Sequence, residues 1–537
     1  MKKVWKKALG FCMILSMLCM KQTVYGAAET DLLRIGLTTE FAQKSSLKIA
    51  DSNIAIGYSV TNSYIKLAAL SSTSGFTFTP TTKYYAKSVT SYSSYEEAKE
   101  MATTLQEKYG VTSYVGFFDQ DSICVVIGET ASASTLKTAM TKVQGSGLSF
   151  ISLGADNGQR VKVVGSDDTI LYDGNGENGY PQVAPTKKNT SGDEVLTLGS
   201  KAYRGRLEIG RYNSSTVTAV NVVPIDDYLY GVIPAEMVSS WHAEALKAQA
   251  VVARTYALNK SGFAGDSNIS KPYILNDTTS SQVYKGYQAE ETSTNKAVDA
   301  TKGEYIYYNN SLIDATFFST SGGSTASCED VWSGSVDYLK GVSDIYELEP
   351  EKKPWIMTFT NATIKDKLSA KGQSVGTVQS LVEDMRTSTN RLYSLKIQGS
   401  SGSLTLQKET IRTYFGTYST KFKIVEYGDV PDKVTVLGAN SKTSTSRIQN
   451  SYILSASGTV KGSETSNEQY IVMGSDNLSN YPKNAPEKAG TYYFAGMGYG
   501  HGVGMSQSGA NGMAKAGYNY EEIIEHYYTG AEVEKRS

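Results

Sequence analysis

The sequence predicts a multi-domain α+β protein, with a mixed α/β main domain carrying a β-rich insertion and a small β-α-β-β-α module ahead of it. Three observations carry this reading. The chain has 537 residues, too many for one hydrophobic core. Apolar residues alternate at period two in some stretches and recur at helical spacing in others. Tyrosine is over-used, 38 residues against 14 phenylalanines, which suits half-exposed strands. Tyrosine rings also stack on sugars, but strand content is the favoured account of their number.

Composition excludes several classes. Apolar residues make up 40% and mean hydropathy is −0.31, which rules out both a polytopic membrane protein and wholesale disorder. Lys and Arg total 52 against 53 Asp and Glu, so no basic excess exists to bind a phosphate backbone, and no nucleic-acid partner is expected. Residues 1–26 read as a secretory signal peptide. Lys2, Lys3, Lys6 and Lys7 precede the apolar stretch 8–20, and Val24 and Gly26 give a small-residue cleavage pattern before Ala27. That stretch is shorter than the roughly 20 residues a spanning helix needs, and an uncleaved membrane anchor is the alternative. The segment holds five lysines and no acid, so the exported chain carries −6 where the whole carries −1. Cys12 and Cys19 leave with it, and Cys124 and Cys328 alone make no disulfide framework.

The elements follow in order. Residues 27–80 are strand-rich, with alternating runs at 33–37 and 54–58 broken by Ser, Thr and Gly. Residues 82–147 form the small module. In it 84–89 reads as a strand, and 94–109 as a helix with Ala98, Met101, Ala102 and Leu105 at helical spacing and Gly110 as its C-cap. A hairpin follows from 112–118 and 123–128 around Asp119, Gln120 and Asp121, then a second helix at 133–143. Residues 148–198 read as short strands and a connector, the connector being 181–185 with the polar run after it. The main domain occupies 199–428 and 492–537, and its insertion, 429–491, is rich in Ser, Thr, Asn and Lys. Helices are expected at 506–515 and 520–528 near the end.

Three segments carry chemistry. In the first, 221–237, Glu236 follows Pro234 just ahead of a helix beginning near Trp241 and lies between apolar neighbours. Such surroundings favour the protonated form of a carboxyl, as a general acid requires, although an acid there also suits a helix cap. Leu246, Ala250, Ala253 and Ala257 give the following helix one narrow packing face. In the second, 496–507, alternate glycines let backbone approach a ligand closely, and His501 either hydrogen-bonds substrate or satisfies the turn. Its glycine spacing fits neither a dinucleotide fingerprint nor a phosphate loop. In the third, 281–284 with 318–325, hydroxyls and glycines suit a polar cleft or a plain loop. Ser321 and Ser324 lack a nucleophile-elbow pattern, which excludes a serine hydrolase. His242, His501 and His526 are the only histidines and have no zinc spacing, so no metal and no cofactor is expected.

With these residues laid out, the chain resembles the stage II sporulation protein D / LytB (amidase enhancer) family of bacterial cell-wall proteins. The resemblance runs through Asp227-Tyr-Leu-Tyr-Gly-Val-Ile-Pro-Ala-Glu-Met237, Glu244-Ala-Leu-Lys-Ala-Gln-Ala250 and Ala253-Arg-Thr-Tyr-Ala257. It continues at Ser281-Gln-Val-Tyr284, Ser321-Gly-Gly323, Val331-Trp332, Tyr338-Leu339 and Gly500-His-Gly-Val-Gly-Met-Ser-Gln507. It implies a lytic transglycosylase acting on peptidoglycan glycan strands, with Glu236 as the single catalytic acid and base. Substrate contacts are implied at Arg254, Gln282, Tyr284, Ser321, Gly322, Gly323, His501, Ser506 and Gln507. Some members bind zinc through His and Cys just ahead of the Gln-Val-Tyr motif, where this chain has Asp277-Thr-Thr-Ser-Ser281, so that site looks absent. Other members are enhancers of a wall amidase, which implies such an amidase as the alternative partner. Residues 82–147 resemble a SPOR domain, a module that binds glycan stripped of stem peptides. The implied location is the cell wall or extracellular space.

Overall fold

The computed structural model describes residues 32–429 and 484–536, apart from 61–62, 120–121, 175–178, 213, 262–271 and 348–353, and the strand backbones between 430 and 483. Residues 1–26, expected to be a signal peptide, and the turn residues Gln120 and Asp121 lie outside the described residues. The chain is α+β and divides into two compact units, Met1–Glu236 with Lys260–Glu290, and Met237–Asn259 with Glu291–Ser537.

The first unit is built on two sheets. One has the strand order Leu275–Asn276, Leu32–Gly36, Thr218–Pro224, Arg206–Gly210, Gln182–Pro185, Asn53–Val60, Ser63–Ser71. Its composition joins segments far apart in sequence. Leu32–Gly36 runs antiparallel to Thr218–Pro224, with Leu33 opposite Val223 and Ile35 opposite Asn221, and parallel to Leu275–Asn276. Leu33 and Ile35 are buried there, so the strand-rich N-terminal segment shares a core with residues beyond 199. The reading of 181–185 as a connector is corrected. Gln182–Pro185 is an interior strand between Arg206–Gly210 and Asn53–Val60, with Gln182, Val183 and Ala184 buried. Pro181 and Pro185 fall outside and at the end of that strand, where a missing N–H does little harm.

The second sheet runs from Lys201–Arg204 through Val195–Leu198, Leu47–Ile49, Phe76–Pro80, Val161–Val164 and Thr169–Tyr172. It ends with Ser113–Asp119, Ser122–Thr130, Tyr84–Tyr92 and Phe150–Ser152. Residues 84–142 show the order strand, helix, strand, strand, helix. The helix Tyr95–Tyr109 starts where Ser94 accepts from the Glu97 N–H and ends at left-handed Gly110, whose N–H reaches the Gln106 carbonyl at 3.1 Å. These strands do not stand apart, because Thr169–Tyr172 pairs in parallel with Ser113–Asp119. Tyr85, Phe118, Cys124, Val126 and Leu171 form one buried cluster across that join. Ile123 through Ile127 are buried in succession, so the strand Ser122–Thr130 is covered on both faces.

In the second unit, Thr491–Gly496 is the central strand between Trp355–Thr360 and Phe422–Glu426. Its core gathers Trp355, Phe359, Ile364, Leu395, Phe415, Phe422 and Phe494. The strands of residues 433–482 are three hairpins, Lys433–Leu437 with Thr443–Arg447, Tyr452–Ser455 with Gly458–Lys461, and Gln469–Met473 with Leu478–Pro482. The helix Ala243–Ser261 is buried on every side rather than along one face, from Ala245 and Leu246 through Ala248–Thr255 to Ala257 and Leu258. Small alanines all around it admit close neighbours in all directions. Cys124 and Cys328 are buried thiols.

Deleting residues 32–80 removes strands from inside both sheets of the first unit. The expected result is loss of its cooperative urea transition and of soluble yield. An unchanged, sharp transition followed by circular dichroism would show that the sheets do not depend on this segment.

Candidate functional site

Glu236 is the last residue of the helix Ile225–Glu236, which corrects its placement ahead of a helix; the next helix begins only at Ala243. Pro234 sits in the last turn, so the lost N–H and the ring's crowding of the carbonyl four residues back are confined to the helix end. The carboxyl is half-buried, and its Oε1 accepts a hydrogen bond from the Val283 N–H at 2.7 Å.

That bond belongs to a strap. Residues 282–285 lie along the helix Ile225–Glu236 and are fastened at each step. Gln282 is fully buried, and its Oε1 accepts from the Tyr228 hydroxyl at 3.1 Å. The Tyr284 hydroxyl donates to Asn221 Oδ1 at 2.8 Å, and the Lys285 N–H reaches the Gly231 carbonyl at 3.2 Å. Gly231 must be glycine, because a Cβ there would lie 2.6 Å from the Tyr284 ring. Asn221 in turn donates to the Arg204 and Arg206 carbonyls at 2.9 and 3.0 Å. Gln282 and Tyr284, expected to touch substrate, are therefore buried positioning groups beside Glu236. Burial pushes the Tyr284 phenol well up, so it remains a hydrogen-bond donor.

The segment ahead of the strap does not suit zinc. Asp277 Oδ1 accepts from the Thr38 N–H at 2.9 Å and the Thr39 N–H at 3.1 Å, and Thr278 donates to Asn276 at 2.7 Å. These are a committed carboxylate and hydroxyls, where a structural zinc wants thiolate and imidazole. Among the described residues, no group of three or more His, Cys, Asp or Glu could hold a metal ion.

The remaining expected site residues fall in the second unit. Arg254 is fully buried, and its guanidinium donates to the Thr301 and Val298 carbonyls at 2.9 and 3.1 Å, closing the end of the helix Thr292–Ala300. It holds the fold and has no exposed surface for substrate. Ser321, Gly322 and Ser506 converge on Glu347, which the sequence reading missed. The Ser321 and Gly322 N–H groups reach its carboxylate at 2.8 and 2.6 Å, and the Ser321 and Ser506 hydroxyls at 3.1 Å each. The Gly323 N–H donates to Ser321 Oγ at 3.0 Å. Ser506 also caps the helix Gln507–Lys515 by accepting from the Gly509 N–H, and Gln507 is buried in its first turn. One carboxylate thus fastens two of the expected motifs together.

Further buried charges surround it. Asp344 accepts from the Tyr527 hydroxyl at 3.0 Å, and burial raises its proton affinity and, with Asp344 beside it, that of Glu347. Burial, then Arg391, brings the Lys421 ammonium down to about 7, and it donates to Ser324 Oγ at 2.6 Å. Arg391 donates to the Ser321 carbonyl at 3.2 Å. His501 sits between Trp332 and Phe318, with ring centroids at 4.9 and 5.6 Å, and its Nδ1 accepts from the Val503 N–H at 3.1 Å. Burial and then the Arg412 and Arg391 charges lower its pKa to about 3, so the imidazole is neutral.

Comparison with known proteins gives matches in one direction. Residues 213–308 match the family model described as "Stage II sporulation protein", SpoIID, a span holding Glu236, Arg254, Gln282 and Tyr284. The chain is similar to a protein named "Amidase enhancer" of Bacillus subtilis (strain 168), 34% identical over 309 residues, 56% of this chain and 39% of that protein. It therefore spans about two fifths of that relative's length. It is also similar to "Stage II sporulation protein D" of the same organism, 28% identical over 359 residues, 65% of this chain and 83% of that protein. The protein of that name from Bacillus amyloliquefaciens is 26% identical over 370 residues, 67% and 86% of the two chains.

Two outcomes follow from the geometry. Tyr284→Phe leaves buried Asn221 without its donor and should cost about 1–3 kcal/mol of stability, read as a lower urea midpoint. A change in substrate KM at unaltered stability would return Tyr284 to substrate contact. His501 is neutral in the fold and charged in the unfolded chain below the usual histidine range, so its contribution is complete above pH about 6.5 and is lost towards pH 3. The stability gap between wild type and His501→Gln should accordingly narrow as pH falls from 7.5 to 4.5, and a constant gap would refute the burial of the neutral ring.

Proposed function

We propose that this chain, which carries a domain of the stage II sporulation protein D (SpoIID) family, is an exported lytic transglycosylase that cleaves peptidoglycan glycan strands with Glu236 as its one acid and base. The observation that carries the reading is a half-buried carboxyl at a helix end, anchored through one oxygen by the Val283 N–H. The other acids of that helix, Asp226 and Asp227, are in its first turn, about 14 Å away along the axis. A glycoside hydrolase wants two carboxyls within roughly 5–10 Å of each other, and this helix sets its two aspartates at one end and Glu236 alone at the other.

One carboxyl suffices for an intramolecular displacement. Glu236 gives its proton to the glycosidic oxygen, and the bond from that oxygen to C1 of muramic acid breaks. The carboxylate then takes the proton of the C6 hydroxyl on the same sugar as its oxygen closes onto C1. The products are a 1,6-anhydro-muramic end and a free hydroxyl on the departing strand, with no water consumed and Glu236 reprotonated. The attacking hydroxyl is held by its own ring, which supplies a high effective molarity. The strap fits this scheme by fixing the carboxyl through its Val283 N–H. Export is supported by the lysine-led apolar stretch and small-residue pattern within residues 1–26.

A second reading, a glycan-binding enhancer of a wall amidase, is favoured by the name of the relative at 34% identity. One variant separates the two. Glu236→Gln keeps size and hydrogen bonding but cannot deliver the proton, so release of anhydro-muropeptides from purified sacculi should fall about 10²–10⁴-fold. Wild-type release by this variant would remove Glu236 from the chemistry. No anhydro products from wild type, with amidase stimulation that survives Glu236→Gln, would establish the enhancer.

A further inference from the structure

We propose that Tyr418 and Trp332, packed on Tyr499 and His501 respectively, form an aromatic platform in the second unit that takes the faces of successive sugar rings of a glycan strand. The inference rests on the peptidoglycan reading above and names where that unit grips its substrate.

Most large rings here are explained by burial, as Phe359, Phe415, Phe422 and Phe494 are in the core. The platform rings are not. Tyr418 is 45% exposed and Trp332 is half-buried, while Tyr499 packs against that core and His501 lies between Trp332 and Phe318. They belong to two ring pairs, each with its lower ring on one glycine loop. Tyr418 lies over Tyr499 with centroids at 4.7 Å and planes 31° apart, and Trp332 lies over His501 at 4.9 Å. Tyr499 and His501 are two residues apart, separated by Gly500, which brings the pairs side by side.

The loop is braced from beneath. The Gly500 N–H donates to the Tyr418 carbonyl at 2.9 Å, and a Cβ on Gly500 would lie 2.8 Å from Phe318 Cβ. Trp355 meets Tyr418 edge-on at 5.7 Å and donates its Nε1–H to the Gly498 carbonyl at 3.2 Å. Lys408 Nζ donates to the Trp332 carbonyl at 2.7 Å. Alternate glycines thus press the backbone into the unit and seat Tyr499 and His501 as the underside on which Tyr418 and Trp332 rest. Rigid rings with apolar faces and polar edges match a pyranose, whose C–H face is apolar and whose rim carries hydroxyls. Immobile rings lose little entropy when a strand lies on them.

The test uses the full exported chain and the β-1,4-linked tetrasaccharide of N-acetylglucosamine, which carries no stem peptide. Binding is followed by calorimetry and by tryptophan fluorescence, since Trp332 and Trp355 lie in and under the platform. Saturable binding is expected, weakened about tenfold by Tyr418→Ala and within about twofold of wild type for Tyr418→Phe. Tyr427→Ala, at a tyrosine 58% exposed and outside the set, should bind as wild type. Tyr418→Ala binding like wild type, or no saturable binding by wild type, overturns the platform even where Glu236-dependent cleavage holds. Binding through Tyr418 by a chain that releases no anhydro products upholds the platform and defeats the transglycosylase instead.

Discussion

The pairing of Leu32–Gly36 between Thr218–Pro224 and Leu275–Asn276 is the constraint on which the Glu236 site depends. One neighbour runs directly into the helix that ends at Glu236, and the other leads into the strap that grips its carboxyl. A single strand from near the N-terminus therefore sets the register of both partners of the Val283–Glu236 bond. Because strand side chains alternate, a slip of one residue would turn Ile35 and Leu33 outward and carry the strap with it. The position of the acid is thus a tertiary property, fixed by burial several strands wide.

The second unit solves a different problem, that of holding polar loops inside a protein. Glu347 accepts four hydrogen bonds from two loops, in surroundings where an unmet donor would be costly. Its neighbours Asp344, Arg391 and Lys421 are buried with it, and the two signs are interleaved. Such a network gives little net stability over an apolar core, but it tolerates few alternative arrangements. Its contribution is to fix the relative places of Ser321, Gly322 and Ser506.

Local signals in the sequence were readable where the cause was local. Gly110 marks the end of its helix because capping is settled within a few residues. The acid at Glu236 stood out by its motif. Burial was not readable in the same way. Gln282, Tyr284 and Arg254 carry groups that suit a substrate, and only the partners found for them, Tyr228, Asn221 and the Thr301 carbonyl, show that they are spent within the fold. Glu347 had no signal at all, since nothing around Tyr346 and Asp344 distinguishes an acid that collects N–H groups from one in solvent. Gln182–Pro185 was hidden by its prolines and by the polar run after it, although its pairing on both edges makes it interior.

The order in which the second unit closes has a consequence for how the chain reaches its destination. Thr491–Gly496, the middle strand of its sheet, comes after the hairpins of 433–482, and Glu532–Lys535 pairs with Glu304–Tyr308. Partners so distant along the chain meet late, because a long loop must be drawn shut before any contact rewards it. A polypeptide threaded out from its N-terminus keeps this unit open until its final residues emerge. Under the proposed export, this topology would leave the sheet unfinished while any of 491–535 remained inside, a state in which the chain can still be threaded.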